Sequence, residues 1–92
     1  MNEVIETTEA RLKRMSMRSW RRGTKEMDMI LGPFSDVALA GMGEADLVLF
    51  DRLLWENDTD LLPWMMGQAV PPAHYAGLVG TISTFARARL AR

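Results

Sequence analysis

The chain has 92 residues, 48% hydrophobic and 25% charged, with a formal net charge of -1 at pH 7, which fits one globular domain and excludes intrinsic disorder. It has no cysteine, so disulfides and thiolate metal sites are excluded. Charged residues throughout Met1 to Arg14 argue against a secretory segment, and no apolar run reaches the ~18 residues that span a bilayer, so we expect a cytoplasmic protein without membrane insertion.

The apolar spacing is helical along the whole chain. Thr7 or Thr8 is predicted to open a first helix, because a hydroxyl there accepts otherwise unpaired backbone N–H groups. Gly23 interrupts the phase of that helix. A second rhythm passes through Gly32-Pro33 without a shift, which predicts one helix kinked at Pro33 and not two helices. The predicted inward faces are Leu12, Met15, Ser19 and Trp20 in the first helix, and Met27, Ile30, Leu31, Phe34, Val37, Ala38 and Gly41 in the second.

A third and a fourth helix are predicted in the second half of the chain. The third begins after Gly43 and ends at Asn57-Asp58. Asp58 is expected to cap the fourth helix, and Pro63 is placed near the start of that helix, where a missing N–H costs least. The predicted apolar positions of the third helix are Leu47, Phe50 and Leu54.

Gly67 and the Pro71-Pro72 pair close the fourth helix, and Pro72 is predicted to be the first residue of a last helix that reaches Leu90. No segment alternates with period two for long, so a sheet is not expected. The predicted fold is therefore all-α, a small single-domain helical bundle whose ordered core covers about residues 6–90, between frayed ends.

Charge is distributed unevenly along this sequence. Seven of the eleven basic residues lie between positions 11 and 25, whereas residues 26–60 carry nine acidic residues against Arg52 alone. This uneven distribution of charge either steers an oppositely charged partner or forms ion pairs within the protein, and the sequence leaves both possibilities open.

The large apolar side chains are expected to build the core. Trp20, Trp55 and Trp64 are predicted to anchor it, and methionines to fill its irregular gaps. A partly exposed tryptophan or methionine beside the Arg-Gly step at residues 22–23 would instead indicate a partner surface, because aromatic, methionine and arginine residues are enriched where partners bind.

The sequence contains few groups suited to catalysis. His74 is the only histidine, and no cysteine accompanies it as a nucleophile. Glu26 and Asp28 are two residues apart, so on a helix they point in different directions and do not form an acid-base pair. Gly41-Met42-Gly43 lacks the preceding strand of a phosphate-binding loop and is predicted to be a turn. We expect no enzyme, no metal site and no nucleotide or flavin site.

Three segments in register resemble one known family. The sequence RGTKEMD from Arg22 resembles the Arg-Gly-x-x-Glu-x-Asp signature of the SdhE proteins, the bacterial FAD assembly factors of succinate dehydrogenase, whose mitochondrial relatives are the succinate dehydrogenase assembly factor 2 proteins. Pro33-Phe34 is similar to the Pro-Phe step of that family, and residues 53–64 resemble its Leu-Leu-x-x-x-Asp-x-Asp-Leu-x-x-Trp segment. The resemblance covers most of the chain, and Pro63 is its least understood departure.

The resemblance implies a five-helix bundle that binds the flavoprotein subunit of succinate dehydrogenase and promotes covalent attachment of FAD to it. In that family the histidine that becomes linked to the flavin belongs to the client, which relieves His74 of a catalytic role. The implied protein is an assembly factor or chaperone and not an enzyme, and FAD is attached to the client and not held stably by this chain. Fumarate reductase is a further candidate client, and the chain is expected to be a monomer without its client.

The same resemblance assigns the client-binding residues. Arg22 is expected to make charge-assisted hydrogen bonds to the client, and Gly23 to let the two backbones approach. Glu26 and Asp28 either contact the client or accept hydrogen bonds at the helix start, and the sequence does not separate these roles. The alternative for the whole motif is a helix cap with Gly23 as the turn of a helical corner. The remaining predicted contacts are Arg18, Arg21 and Lys25.

Two functions of other classes compete with this assignment. The basic run before the second helix can belong to a helix-turn-helix regulator that binds nucleic acid, but Glu26, Asp28 and Asp36 would then lie on the recognition helix. Salt-dependent binding to duplex DNA would support that alternative. A small independent enzyme would lose activity on substitution of His74, whereas a docking protein would fail with Gly23→Arg while its fold stays intact.

Overall fold

Five α-helices joined by short segments lie between residue 8 and residue 90. The computed structural model describes residues 6–90, so the predicted frayed ends, 1–5 and 91–92, lie outside the described residues. Its α-helices are α1 (Thr8–Trp20), α2 (Lys25–Ala38), α3 (Glu44–Leu53), α4 (Asp58–Met65) and α5 (Ala73–Leu90), and a 3₁₀ turn, Leu39–Gly41, follows α2. The prediction of an all-α, five-helix bundle is confirmed.

Helix α1 begins with a threonine cap and packs chiefly against α2. The Thr7 hydroxyl oxygen accepts a hydrogen bond from the Ala10 N–H at 3.1 Å, which decides between the two predicted caps. Met15 and Ser19 are fully buried. The Ser19 hydroxyl donates to the Met15 carbonyl at 2.8 Å, so this small polar side chain lies in the core with its hydroxyl paired inside its own helix.

Helix α2 runs through Pro33 as one helix, as the unbroken apolar rhythm predicts. The predicted inward face is right over most of its length, since Met27 and Leu31 are fully buried. It is wrong for Val37, which is 69% exposed, and for Gly41, which is exposed and lies beyond the end of α2. After Ala38 the chain tightens into the 3₁₀ turn, and Leu39 takes the buried position there.

Helices α3 and α4 differ from prediction where they are joined. Helix α3 follows Gly43 as expected. The prediction that Asp58 caps α4 is wrong, because Asn57 holds the cap position and Asp58 is the first helical residue. The carboxylate of Asp58 faces Arg22 at the α1–α2 corner instead. Pro63 is not near the helix start but inside α4, five residues after its first residue.

Helix α5 closes the bundle after an ordered turn. Gly67 ends α4 in the left-handed region with a φ of 72°, as its position at the end of the apolar segment predicts. Helix α5 begins at Ala73, one residue later than predicted, and the Pro72 carbonyl accepts the Tyr75 N–H at 2.9 Å. Its core-facing residues are Tyr75, Val79 and Ile82.

The tryptophans do not build the core as predicted. The buried core consists mainly of leucine and methionine side chains around Phe34 and Phe50. The ring of Phe34 meets those of Phe50 and the partly buried Phe85 edge to face, each at 5.6 Å between centroids. Trp64 is partly buried against this core. Trp20 and Trp55 are 38% and 67% exposed, so the core assignment is wrong for both.

Trp20 lies across the α1–α2 seam because α2 offers a glycine there. A Cβ added at Gly32 would overlap the Trp20 ring. The indole N–H donates to Asp36 at 3.1 Å, so the ring packs with its apolar face against α2 while its polar edge stays near solvent.

Part of the basic run in α1 forms ion pairs. Arg11 pairs with Glu44 at 2.8 Å, and Arg14 pairs with Asp51 and Glu6, each at 2.8 Å. The hydrogen bonds from Arg14 hold the pKa of Asp51 below its ordinary value. These arginines therefore tie α1 to α3, and only the remaining basic residues are available to a partner.

Candidate functional site

The Arg-Gly corner between α1 and α2 is organised by an internal arginine. The side chain of Arg22 is only 8% exposed. Its Nε donates to Asp58 Oδ1 at 3.0 Å, its Nη1 to the Leu54 carbonyl at 2.7 Å and its Nη2 to the Glu56 carbonyl at 2.9 Å. The planar guanidinium thus binds the α3–α4 loop (residues 54–57) and the start of α4 to the corner.

Two carboxylates hold the backbone of the corner. Asp28 accepts the Arg22 N–H at 2.6 Å, and the second oxygen of Asp58 accepts the Gly23 N–H at 2.8 Å. The Thr24 hydroxyl oxygen accepts the Met27 N–H at 3.3 Å and caps α2. The geometry therefore contains the helix cap that the alternative interpretation of the motif predicts, and Asp28 has the role of a hydrogen-bond acceptor at the helix start.

Gly23 is not required by the conformation of the corner. A Cβ added there would lie 3.6 Å from Asp58 Oδ2, an ordinary van der Waals distance. The φ of Gly23 does not lie in the left-handed region. Within residues 6–90, the glycine with a positive φ is Gly67. The free chain has room for a methyl group at Gly23, so a need for glycine at this position would come from a molecule that approaches the corner.

Lys25 and Glu26 are the outward part of the motif. Both are exposed in the first turn of α2. Within residues 6–90 the Glu26 carboxylate has no hydrogen bond or ion pair, and the Thr24 hydroxyl does the capping instead. The two side chains border an apolar groove between α2 and α4, whose walls are Met29, Ile30, Leu62 and Met66.

A second recess lies on the other side of the corner, and we call it the arginine–tryptophan cleft. Its walls include Arg18, Arg21, Arg22, Gly23, Thr24, Trp55 and Asn57, together with the acidic residues Glu56 and Asp58. The guanidinium carbon of Arg18 lies 3.7 Å from the centroid of the Trp55 ring, within cation–π distance. The cleft thus brings together Arg18, Arg21, Arg22 and Gly23, four of the residues that the sequence assigns to client binding.

The α3–α4 loop is also anchored from α5. The Tyr75 hydroxyl donates to Glu56 Oε2 at 2.9 Å. Burial raises the pKa of Tyr75, and the hydrogen bond to Glu56 adds to the rise. The phenol therefore keeps its proton well above neutral pH and stays a donor.

The Arg-Gly corner and its cleft present charged side chains, hydrogen-bonding groups and an exposed aromatic ring. Within residues 6–90 no three histidine, aspartate or glutamate side chains are grouped to hold a metal ion. His74 is exposed on the first turn of α5, with its ring 4.0 Å from that of Tyr75. In the same part of the chain no helix has the length and apolar character needed to cross a membrane.

Two residues of this region escape prediction from the sequence. Trp55 is assigned to the core because its side chain is large and apolar, and Asp58 to a cap because it precedes a helix. Both residues lie in the segment that resembles the family, and that resemblance was the one sequence feature that indicated a functional role for them. The partner of Asp58 is 36 positions away in the sequence, a separation that local patterns do not reveal.

Comparisons with known proteins agree on one family. The family model described as "Flavinator of succinate dehydrogenase" matches residues 13–86. The FAD assembly factor SdhE of Shewanella oneidensis is 42% identical over 52 residues, which cover 56% of this chain and 63% of that protein. The FAD assembly factor SdhE of Colwellia psychrerythraea is 36% identical over 69 residues, 73% of this chain and 69% of that protein.

A mitochondrial relative shows the same similarity at a different length. The mitochondrial succinate dehydrogenase assembly factor 2 of Mycosarcoma maydis is 35% identical over 71 residues, 77% of this chain. That match covers only 30% of the fungal protein. The chain therefore spans less than two thirds of the Shewanella and Mycosarcoma proteins.

Proposed function

Because the chain belongs to the family described as flavinator of succinate dehydrogenase, we propose that it binds the flavoprotein subunit of succinate dehydrogenase and promotes covalent attachment of FAD to that subunit. The observation that carries the proposal is the Arg-Gly corner. There the motif that resembles the family signature folds into a turn closed by hydrogen bonds to Asp28 and Asp58, while Gly23, Lys25 and Glu26 are exposed. The names of the relatives, FAD assembly factor and succinate dehydrogenase assembly factor, support it.

The proposed mechanism is orientation of the client without chemistry by the chain. Holding two reacting groups in the productive geometry removes much of the entropic cost of their reaction. A chain that binds one arrangement of the client better than others shifts the client toward it. The client then supplies the histidine and carries the FAD, so this chain acts as a chaperone and holds no flavin stably. The cytoplasm is the proposed compartment, and the flavoprotein of fumarate reductase a second proposed client.

The motif residues divide between two proposed roles. Arg22 and Asp28 shape the corner, since both make their hydrogen bonds inside the chain. Gly23 lets the client backbone approach, and Glu26 has its carboxylate available for a client donor. Arg18, Arg21 and Lys25 supply positive charge around them.

The nucleic-acid-binding alternative is not favoured. Arg11, Arg14 and Arg22, three of the seven basic residues between positions 11 and 25, are engaged in internal ion pairs. A duplex-binding surface instead needs its cations free for phosphates.

The experiment measures flavin fluorescence of the denatured flavoprotein subunit after gel electrophoresis, from cells with and without this gene. We expect covalent flavin to fall on deletion and to return with wild type but not with Gly23→Arg. Gly80→Arg is the matched control, because Gly80 is exposed on α5 and a Cβ there meets nothing within 4 Å. Circular dichroism of both variants checks that they fold. Covalent flavin that is unchanged by the deletion would refute the proposed function.

A further inference from the structure

Trp55 is presented to solvent in a way that a folding role does not explain. Its side chain is 67% exposed although it is large and apolar. Its observed side-chain partner is the charged end of Arg18, 3.7 Å from the ring centroid. Exposed tryptophan and arginine side chains grouped in a recess are the composition that binding hot spots favour.

The backbone on both sides of Trp55 is fixed. The carbonyl groups of Leu54 and Glu56, its two neighbours, both accept hydrogen bonds from Arg22. The Glu56 carboxylate is held in turn by Tyr75. A side chain carried on such an anchored loop loses little conformational freedom when a partner binds, which leaves more of the contact energy for affinity.

The charge of the arginine–tryptophan cleft is positive. Among residues 6–90, neither Arg18 nor Arg21 has an ion-pair partner within 4.0 Å. The nearby carboxylates are already engaged, because Asp58 binds Arg22 and Gly23 while Asp51 binds Arg14. Glu56 also lines the cleft, but its carboxylate accepts a hydrogen bond from the Tyr75 hydroxyl and forms no ion pair with Arg18 or Arg21. Three arginines, Arg18, Arg21 and Arg22, therefore outnumber the two carboxylates of the cleft, Glu56 and Asp58.

We propose that the arginine–tryptophan cleft binds an acidic segment of the flavoprotein subunit, with a carboxylate on Arg18 and Arg21 and the neighbouring side chain of that segment against Trp55. This inference rests on the proposed function, and it names the part of the client that binds at the arginine–tryptophan cleft. A carboxylate suits the cleft because two guanidinium groups donate to it in matching planar geometry. Gly23, at the edge of the cleft, leaves space for the backbone of the segment.

The first test is a binding titration of the full chain with the purified FAD-free flavoprotein subunit. Trp55→Ala and Arg18→Glu should weaken binding about tenfold or more, as truncation or reversal of a hot-spot residue does. Arg89→Glu is the matched control, because it makes the same charge change on the last turn of α5, and it should stay within about twofold, as expected of a charge outside the interface. Raising the salt concentration should weaken wild type more than Arg18→Glu.

Failure of this inference is distinguishable from failure of the proposed function. If wild type binds and flavinylates the client while Trp55→Ala and Arg18→Glu behave like Arg89→Glu, the cleft is not the docking site and the function stands. If wild type neither binds the client nor raises its covalent flavin, the function falls and this inference with it. Circular dichroism checks that each variant is folded before its binding result is interpreted.

A crosslinking experiment tests the acidic character of the segment. A photoreactive benzoylphenylalanine at Asn57, which is exposed on the rim of the cleft, should crosslink to a client peptide that contains aspartate or glutamate. A peptide without an acidic residue would overturn the proposal. Titration of the chain with FAD alone tests the other possible ligand of the cleft. If FAD quenches the tryptophan fluorescence of wild type and Arg18→Glu abolishes the quenching, the cleft binds the flavin phosphates. That result would overturn the acidic-segment proposal.

Discussion

Asp58→Ala should destabilise the fold by removing one end of the clamp at the Arg-Gly corner. The substitution leaves the Arg22 Nε and the Gly23 N–H without their carboxylate acceptor. The side chains of Arg22 and Asp58 are 8% and 14% exposed, so water replaces the lost acceptor poorly. The free energy of unfolding should fall because a buried charge keeps only part of its hydrogen bonding.

The size of the loss follows from what remains after the substitution. Breaking a well-buried ion pair costs roughly 3–5 kcal/mol, but Arg22 keeps its two loop carbonyls and the Gly23 N–H lies at an exposed residue. One charge-assisted hydrogen bond and one exposed backbone bond give a loss of about 2 kcal/mol. For a domain of this size that corresponds to a fall of roughly 8–16 °C in Tm.

Urea denaturation followed by circular dichroism measures this loss. Asp60→Ala is the matched control, because Asp60 is an exposed carboxylate in the same first turn of α4. It should cost no more than about 0.5 kcal/mol through the helix dipole. If Asp58→Ala is no less stable than Asp60→Ala, the clamp does not hold the corner and the structural role given to Arg22 is wrong.

Three further substitutions test other contacts. Gly32→Ala places a methyl group against the Trp20 ring and should cost about 1–3 kcal/mol through overpacking; an unchanged Tm and tryptophan emission spectrum would contradict this. Arg14 lowers the pKa of Asp51, so their ion pair stabilises the fold above the ordinary aspartate pKa and this contribution is lost as the pH falls through the lowered pKa. Asp51→Asn should therefore be less stable than wild type by up to about 1 kcal/mol at neutral pH and nearly equal to it near pH 2, and a gap that does not change with pH would refute the assignment. Tyr75→Phe removes the hydroxyl that anchors the α3–α4 loop and should lower the free energy of unfolding by about 1 kcal/mol in urea titration, while a neutral effect would mean that the loop is held by Arg22 alone.

The features that the sequence predicts correctly are those fixed by neighbouring residues. Thr7 caps α1 through an N–H three positions away, and Gly67 ends α4 through its own φ. The unbroken rhythm through Pro33 predicts one helix because a helical face is a local repeat. Such features depend on a few consecutive residues and can be derived without knowledge of the tertiary structure.

The features that the sequence does not predict depend on distant partners. Asp58 is assigned to a cap by its neighbours, but its carboxylate lies at the α1–α2 corner and binds Arg22. Trp55 has the size and apolarity of a core residue, yet it follows the end of α3 and meets Arg18 of α1 at the surface. Apolarity indicates that a side chain is stabilised by burial, and packing of the whole chain decides which side chains are buried.

The geometry of the corner explains why one short motif can serve both the fold and a partner. Arg22 and Asp28 are six positions apart, and Asp28 turns back to accept the Arg22 N–H, so the ends of the motif close on each other. Residues 23–26, which lie between them, are exposed on the outside of this turn, whereas Met27 is buried in the core. Loss of function at the ends should therefore follow loss of stability. Loss of function at Gly23 should occur with the stability intact, because a Cβ there meets only an ordinary contact.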